Sequence, residues 1–209
     1  DEQRTPEFSD VIEHLITNPT WNVPKSITLK EYLPEMQEDP LAHDYLELID
    51  VDREIVPRDL VDFNEYDEDT FPYDLKQFPS ITNALGLVKF MFPNQYSIYL
   101  HDTPSKPLFD LEVRAFSHGC IRLQKPFEFA YELLKPQSED PKTTFNEAIA
   151  TGEETVVYLR QPVPVHLIYR TAFVDELGEI NYRRDIYGRD AAIYEALIDA
   201  GVQAESFSG

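Results

Sequence analysis

Prolines recur at positions 24, 34, 40, 57, 72 and 79, and after Gly86 the chain changes character. Proline lacks a backbone N–H and is excluded from inner strands, so the first stretch is barred from the middle of a large sheet. The runs GLVKFMF and YSIYLH that follow are apolar-rich and joined through Pro93-Asn94-Gln95. They predict a β-hairpin. Within the second run Ser97, Tyr99 and His101 share one side, and Ile98 and Leu100 the other. The reading is a mainly β chain with several helices (α+β), in which residues 22–80 form an inserted helical and irregular lobe.

The remaining elements follow from local signals. EFSDVIEHLI (7–16) reads as a short helix closed by Asn18-Pro19, and LKEYLPEM and DPLAHDYLELI as helices of the lobe. KPFEFAYELLKP places Phe127, Ala130, Tyr131 and Leu134 at helical spacing behind Pro126. Thr144 with Glu147 resembles a capping box for TFNEAIA, with Gly152 at its end. TVVYLR, VPVHLIYRTAFV and EINYRRDIY read as strands, the last two joined at Asp175–Gly178, and RDAAIYEALIDAG as a final helix.

Charge narrows the function. The chain carries 39 acidic and 18 basic residues, a net −21. That field disfavours nucleic acid, whose phosphates need basic patches, and disfavours anionic lipid. An anionic substrate would need a local cation. The acidic cluster Asp62, Glu65, Asp67, Glu68 and Asp69 lacks the ligand spacing and central glycine of an EF-hand loop, so it reads as a solvated face. With one cysteine in the chain an intrachain disulfide is impossible.

That cysteine stands in FSHGCIRL (116–123). A lone Cys is by default a small buried hydrophobe, and its neighbours argue otherwise. Gly119 permits a tight backbone approach, so that N–H groups near Gly119 and Cys120 can converge as an oxyanion site requires. His101 ends a strand nineteen positions upstream and can return to take the thiol proton. Asp102 follows, and its carbonyl or side chain can orient the ring. His118 beside Cys120 does not make a zinc site, which needs three or four ligands. Ser117 sits in no G-x-S-x-G elbow.

HDTP at 101–104 followed by SHGCIR at 117–122 resembles the signature of the L,D-transpeptidase (YkuD-type) catalytic domain. The resemblance extends to NPTWNVP (18–24), KFMFPNQYSIYLHDTP (89–104) and PVHLIYRTAFVDELGEINYRRDIY (164–187), matching the large periplasmic branch with a capping subdomain. It implies a β-sandwich-like catalytic domain over 1–209, with 22–80 as the cap. It implies no cofactor and no metal. The substrates it implies are peptidoglycan stem peptides, as donor and as acceptor, in the periplasm. Carbapenem-type inhibitors are further implied partners, and any membrane link lies in regions outside this chain. Carried over, Cys120 is the nucleophile, His101 the base, and Gly119 with Cys120 the oxyanion donors. Ser117, His118 and Asp102 support the site. Arg122 is a cation for a stem carboxylate, and Tyr99 and Trp21 line the donor side.

Two alternatives stand beside transfer: an L,D-carboxypeptidase or cross-link hydrolase using the same acyl-enzyme, and a non-catalytic wall-binding module. Family domains begin with strands ahead of the segment matching RTPEFSD, where only Asp1–Gln3 stand here. The expectation is therefore an incomplete sheet with an open edge.

Overall fold

The computed structural model describes residues 4–202. Its main sheet has five strands in the order β8-β7-β6-β1-β9, where β1 is Phe8–Thr17, β6 Val88–Met91, β7 Leu100–His101, β8 Ile121–Arg122 and β9 Thr155–Leu167. All neighbours are antiparallel except β7 and β8. The sheet is open, with β8 and β9 as its edges, and the edge position of β9 explains how Pro162 and Pro164 sit inside a strand.

Residues 7–16, expected to be helical, form β1, an inner strand bonded on both sides. The cause of the misreading is a β-bulge: the register with β9 shifts between Ile12 and His14. Two steps along β1 there match five along β9, and Ile12 and Leu15, three apart, are both buried, so the period of two is broken and Val11, Ile12, Leu15 and Ile16 stand at a spacing that imitates a helix. The strand ends at Asn18, which has a left-handed backbone (φ 46°). Its Nδ2 donates to the carbonyls of Ala148, Ile149 and Glu153 at 3.3, 3.0 and 3.2 Å.

Between β1 and β6 the chain builds a second sheet, in the order β2-β5-β3-β4. Its strands are β2 Trp21–Asn22, β3 Glu47–Ile49, β4 Ile55–Val56 and β5 Asp74–Gln77. Helical turns α1 (Lys25–Ile27), a wider π turn (Thr28–Tyr32) and α2 (Leu33–Glu38) cover it. Val23, Ile27, Leu33, Met36, Leu46, Leu48, Phe63, Phe71 and Leu75 form a core separate from that of the main sheet. DPLAHDYLELI, read as a helix, is instead a run of turns leading into β3. His43 at φ 56° and Pro40 break a helix there.

Two helices, α3 (Pro126–Leu134) and α4 (Pro141–Ala150), pack Ala130, Leu133, Leu134 and Phe145 into one cluster with Leu15, Val88, Phe90, Ile98 and Leu100. The α4 start lies ahead of the expected Thr144–Glu147 box. Asp140 is the cap, accepting from the Thr143 N–H at 3.1 Å, with Pro141 pre-set for the first turn. Beyond β9 come the hairpin β10 (Ala172–Val174) and β11 (Ile180–Tyr182), then α5 (Arg189–Asp199). Among the described residues no helix is long and apolar enough to cross a membrane.

Candidate active site

The alternation that buries Val88, Phe90 and Leu100 against the helices turns their neighbours to the opposite face. Registers Ile16↔Lys89, Lys89↔His101 and His101↔Arg122 place Ile16, Lys89, His101 and Arg122 in one cross-strand row. One step along, Cys120 falls level with Tyr99, since Leu100 pairs with Ile121 and the Ile121 N–H donates to the Tyr99 carbonyl at 3.1 Å. Cys120 and His101 thus share a face as diagonal neighbours on adjacent strands, a separation of about 7–8 Å between Cα positions that side chains can close. Parallel pairing of β7 with β8 creates this juxtaposition.

His101 is buried, 4% exposed. Its Nδ1 bonds the Asp102 carbonyl oxygen. A carbonyl only accepts, so Nδ1 carries the proton and Nε2 keeps its lone pair. Burial, aided by the charges of Arg122 and Lys89, pushes the imidazole down to about 4 from the ordinary 6.5. The Asp102 side chain does other work: its carboxylate accepts from the Leu87 N–H at 3.0 Å and pairs with Lys106 Nζ at 2.5 Å. Lys106 Nζ also reaches the Leu123 carbonyl at 3.4 Å, tying the end of β7 to the end of β8.

The Cys120 thiol donates to the Ser97 carbonyl at 3.9 Å. Burial pushes it up, against the pull of Tyr99 and of the Lys89 ammonium. Tyr99 is raised as well, by burial and then by the neighbouring thiolate charge. The resting pair is therefore a neutral thiol with a neutral imidazole. Gly119 has φ 118°, a conformation L side chains rarely adopt. Neither its N–H nor that of Cys120 has a hydrogen-bond partner among the described residues. Two donors beside the thiol are thus available to an incoming oxygen.

Next to Cys120 opens a cavity of about 490 Å³. Ser117, Arg122, Arg114, Arg4 and Tyr187 contribute to its wall. Three arginines gathered in one hollow concentrate positive charge within an otherwise acidic chain. The Arg122 Nε is buried without a hydrogen-bond partner. Thr5 Oγ1 donates to the Gly119 carbonyl at 2.9 Å, so the N-terminal segment holds the cysteine loop.

Of the other expected residues, two lie outside the cavity wall and Ser117 within it. His118 is turned outward, with Nε2 on Glu31 Oε1 at 2.8 Å, linking the cysteine loop to the helical turn of the second sheet. Trp21 opposes Gln77 and meets Tyr32 edge-on, with ring centroids 6.4 Å apart, and takes no part in the cavity wall. Ser117 is in the wall and makes no hydrogen bond among the described residues. Sequence reasoning passed over Lys89, Arg4 and Arg114. A lysine inside the apolar run LVKFMF was the signal for the first. The arginines are joined to the site only by folding.

Gly86 supports this arrangement from behind. Its φ is 60°, and a Cβ there would lie 2.3 Å from the Asp102 carboxylate. Gly86→Ala should cost about 2 kcal/mol through left-handed strain and displacement of Asp102, read as a lower urea midpoint. An unchanged midpoint would show that the turn relaxes freely.

Comparison with known proteins agrees with this geometry. Residues 1–162 match the family described as the L,D-transpeptidase catalytic domain, YkuD. A Haemophilus influenzae protein named "Putative L,D-transpeptidase" is 35% identical over 200 residues, covering 94% of this chain and 40% of that protein. The chain therefore spans about two fifths of the relative's length.

Proposed function

Because the chain belongs to the L,D-transpeptidase (YkuD) catalytic-domain family, we propose that it is a cysteine acyltransferase working on peptidoglycan stem peptides. The observation that carries this reading is the pairing of a thiol with a neutral imidazole on one sheet face, beside an arginine-lined cavity.

In the proposed reaction Cys120 Sγ attacks the carbonyl of the third residue of a tetrapeptide stem as its proton passes to His101 Nε2. The Asp102 carbonyl holds the ring in the required tautomer and stabilises the imidazolium that forms. The N–H groups of Gly119 and Cys120 receive the oxyanion. Collapse of the tetrahedral species breaks the amide bond, and His101 returns the proton to the departing D-Ala amine. An amine of a second stem then attacks the thioester, losing its proton to His101, and the thiolate leaves and is reprotonated. Arg122, with Arg114 and Arg4, offsets the donor's carboxylates in an otherwise anionic protein.

The segment 22–80 is proposed to act as a cap, its His118–Glu31 link setting how the cysteine loop faces the donor. Trp21 and Tyr99 would bound the donor side from the cap and the sheet. The substrate places the reaction in the periplasm or cell envelope. Incubation with purified tetrapeptide stems tests the reading: cross-linked dimers are expected. Tripeptide without dimers would replace transfer by hydrolysis. Absence of any covalent mass increase after exposure to a carbapenem would overturn the acyl-enzyme itself.

A further inference from the structure

Lys89 lies on an inner strand in register with His101, on the face that carries the thiol. Its ammonium sits 5.7 Å from the centre of the Tyr99 ring, the residue level with Cys120. Its hydrogen bond runs to the Thr20 carbonyl at 3.4 Å, and it forms no ion pair among the described residues. A half-buried lysine with no carboxylate at ion-pair distance among the described residues, Glu154 acting on it only from farther off, is costly, so this one calls for an explanation. Packing alone would be served better by an aliphatic side chain in the run LVKFMF.

We propose that Lys89 is the electrostatic partner of the Cys120 thiolate, holding a fixed positive charge behind Tyr99 so that the sulfur ionises and the adjacent imidazole stays unprotonated. The inference rests on Cys120 being the nucleophile, and it deepens that reading by naming a residue that works without touching substrate.

The cation favours the anion on sulfur, the charge the attack needs, and keeps the resting imidazole free of a proton. It opposes the imidazolium formed as the proton is transferred, a charge the Asp102 carbonyl stabilises. The directions of both groups agree: Lys89 pulls the thiol down and the imidazole down. Other titratable and charged groups surround the sulfur. Tyr99 precedes β7, His101 lies on it and Arg122 on β8. His118 and Glu31 lie on the loop and the facing turn, and Glu154 stands beside Lys89. Of these, Lys89 is the cation on the inner side of the row, beneath Tyr99, whereas Arg122 borders the cavity.

The test is the pH dependence of Cys120 alkylation by iodoacetamide, which reads thiolate directly and does not require transfer activity. In Lys89→Met the midpoint should rise by about one pH unit, making alkylation at pH 7.5 about tenfold slower. Lys89→Arg, which keeps the charge, should stay within about twofold of the wild type. Lys89→Gln, polar and of similar length, serves where the methionine variant does not fold. A folded Met or Gln variant with an unmoved midpoint overturns the inference and leaves the nucleophile intact. Alkylation or acylation elsewhere than at Cys120 would instead remove the reading beneath it.

Discussion

Cys120→Ala should abolish covalent acylation by carbapenem or stem peptide, a loss of at least about a thousandfold in rate. In the proposed reaction the sulfur forms the bond, and among the described residues it is the one thiol present. His101→Ala should lower the rate by about 10²–10⁴-fold, the usual contribution of a general base, because the imidazole of the cysteine loop, His118, is held by Glu31. Ser117→Ala should only weaken the reaction, since the hydroxyl stands in the cavity wall with no hydrogen bond to either group. Intact-mass measurement over a time course distinguishes the three. Full acylation of the Cys120→Ala protein would mean that another residue is the nucleophile.

Stability should fall steeply in mild acid. His101 binds its proton less readily folded than unfolded, about 4 against the ordinary 6.5. Between those values the unfolded chain takes up more protons, so stability is fully present above about pH 6.5 and is lost as the pH falls toward 4. The span corresponds to about 3 kcal/mol. Urea midpoints measured from pH 7.5 to 4 should show this decline in the wild type and a shallower one in His101→Gln, which has no ring to titrate. Parallel curves would contradict the depressed imidazole. The same buried, neutral ring that makes a ready base would make an acid-labile fold.

Much of this was readable in the sequence where signals were local. The KFMF and SIYLH runs gave the hairpin, and with it the shared side of Tyr99 and His101. The SHGC run pointed to Cys120, and PFEFAYELL to α3. The helix expected over 7–16 failed because a bulge at Ile12–His14 broke the alternation, and a bulge leaves no fixed mark in composition. Asp102 follows His101 in the sequence, where carbonyl and side chain are equally open as the ring's partner; the fold puts the carbonyl on Nδ1 and the carboxylate on the Leu87 N–H. Trp21 and His118 were grouped with the site by proximity in sequence or by resemblance. In the structure Trp21 pairs with Gln77 on the second sheet, outside the cavity wall, and His118 bonds Glu31. Lys89 went unnoticed because its meaning depends on a neighbour across the strand.

The Thr17–Val88 pair closes the register between β1 and β6, and the Asn18 N–H still reaches the Leu87 carbonyl at 2.9 Å. The whole second sheet therefore leaves and re-enters the first at points about one strand spacing apart. To the main sheet it is the turn of a hairpin, however many residues it holds. Closure entropy grows slowly with length, by about 0.6 kcal/mol per doubling. Enlarging, shrinking or exchanging the excursion thus leaves the register of His101 and Cys120 untouched. What a replacement must preserve is Asn18, whose three carbonyl contacts anchor the exit point to the end of α4 and the start of β9. The junction is a splice site in three dimensions, at which access to the thiol can be redesigned without rebuilding the strands that hold it.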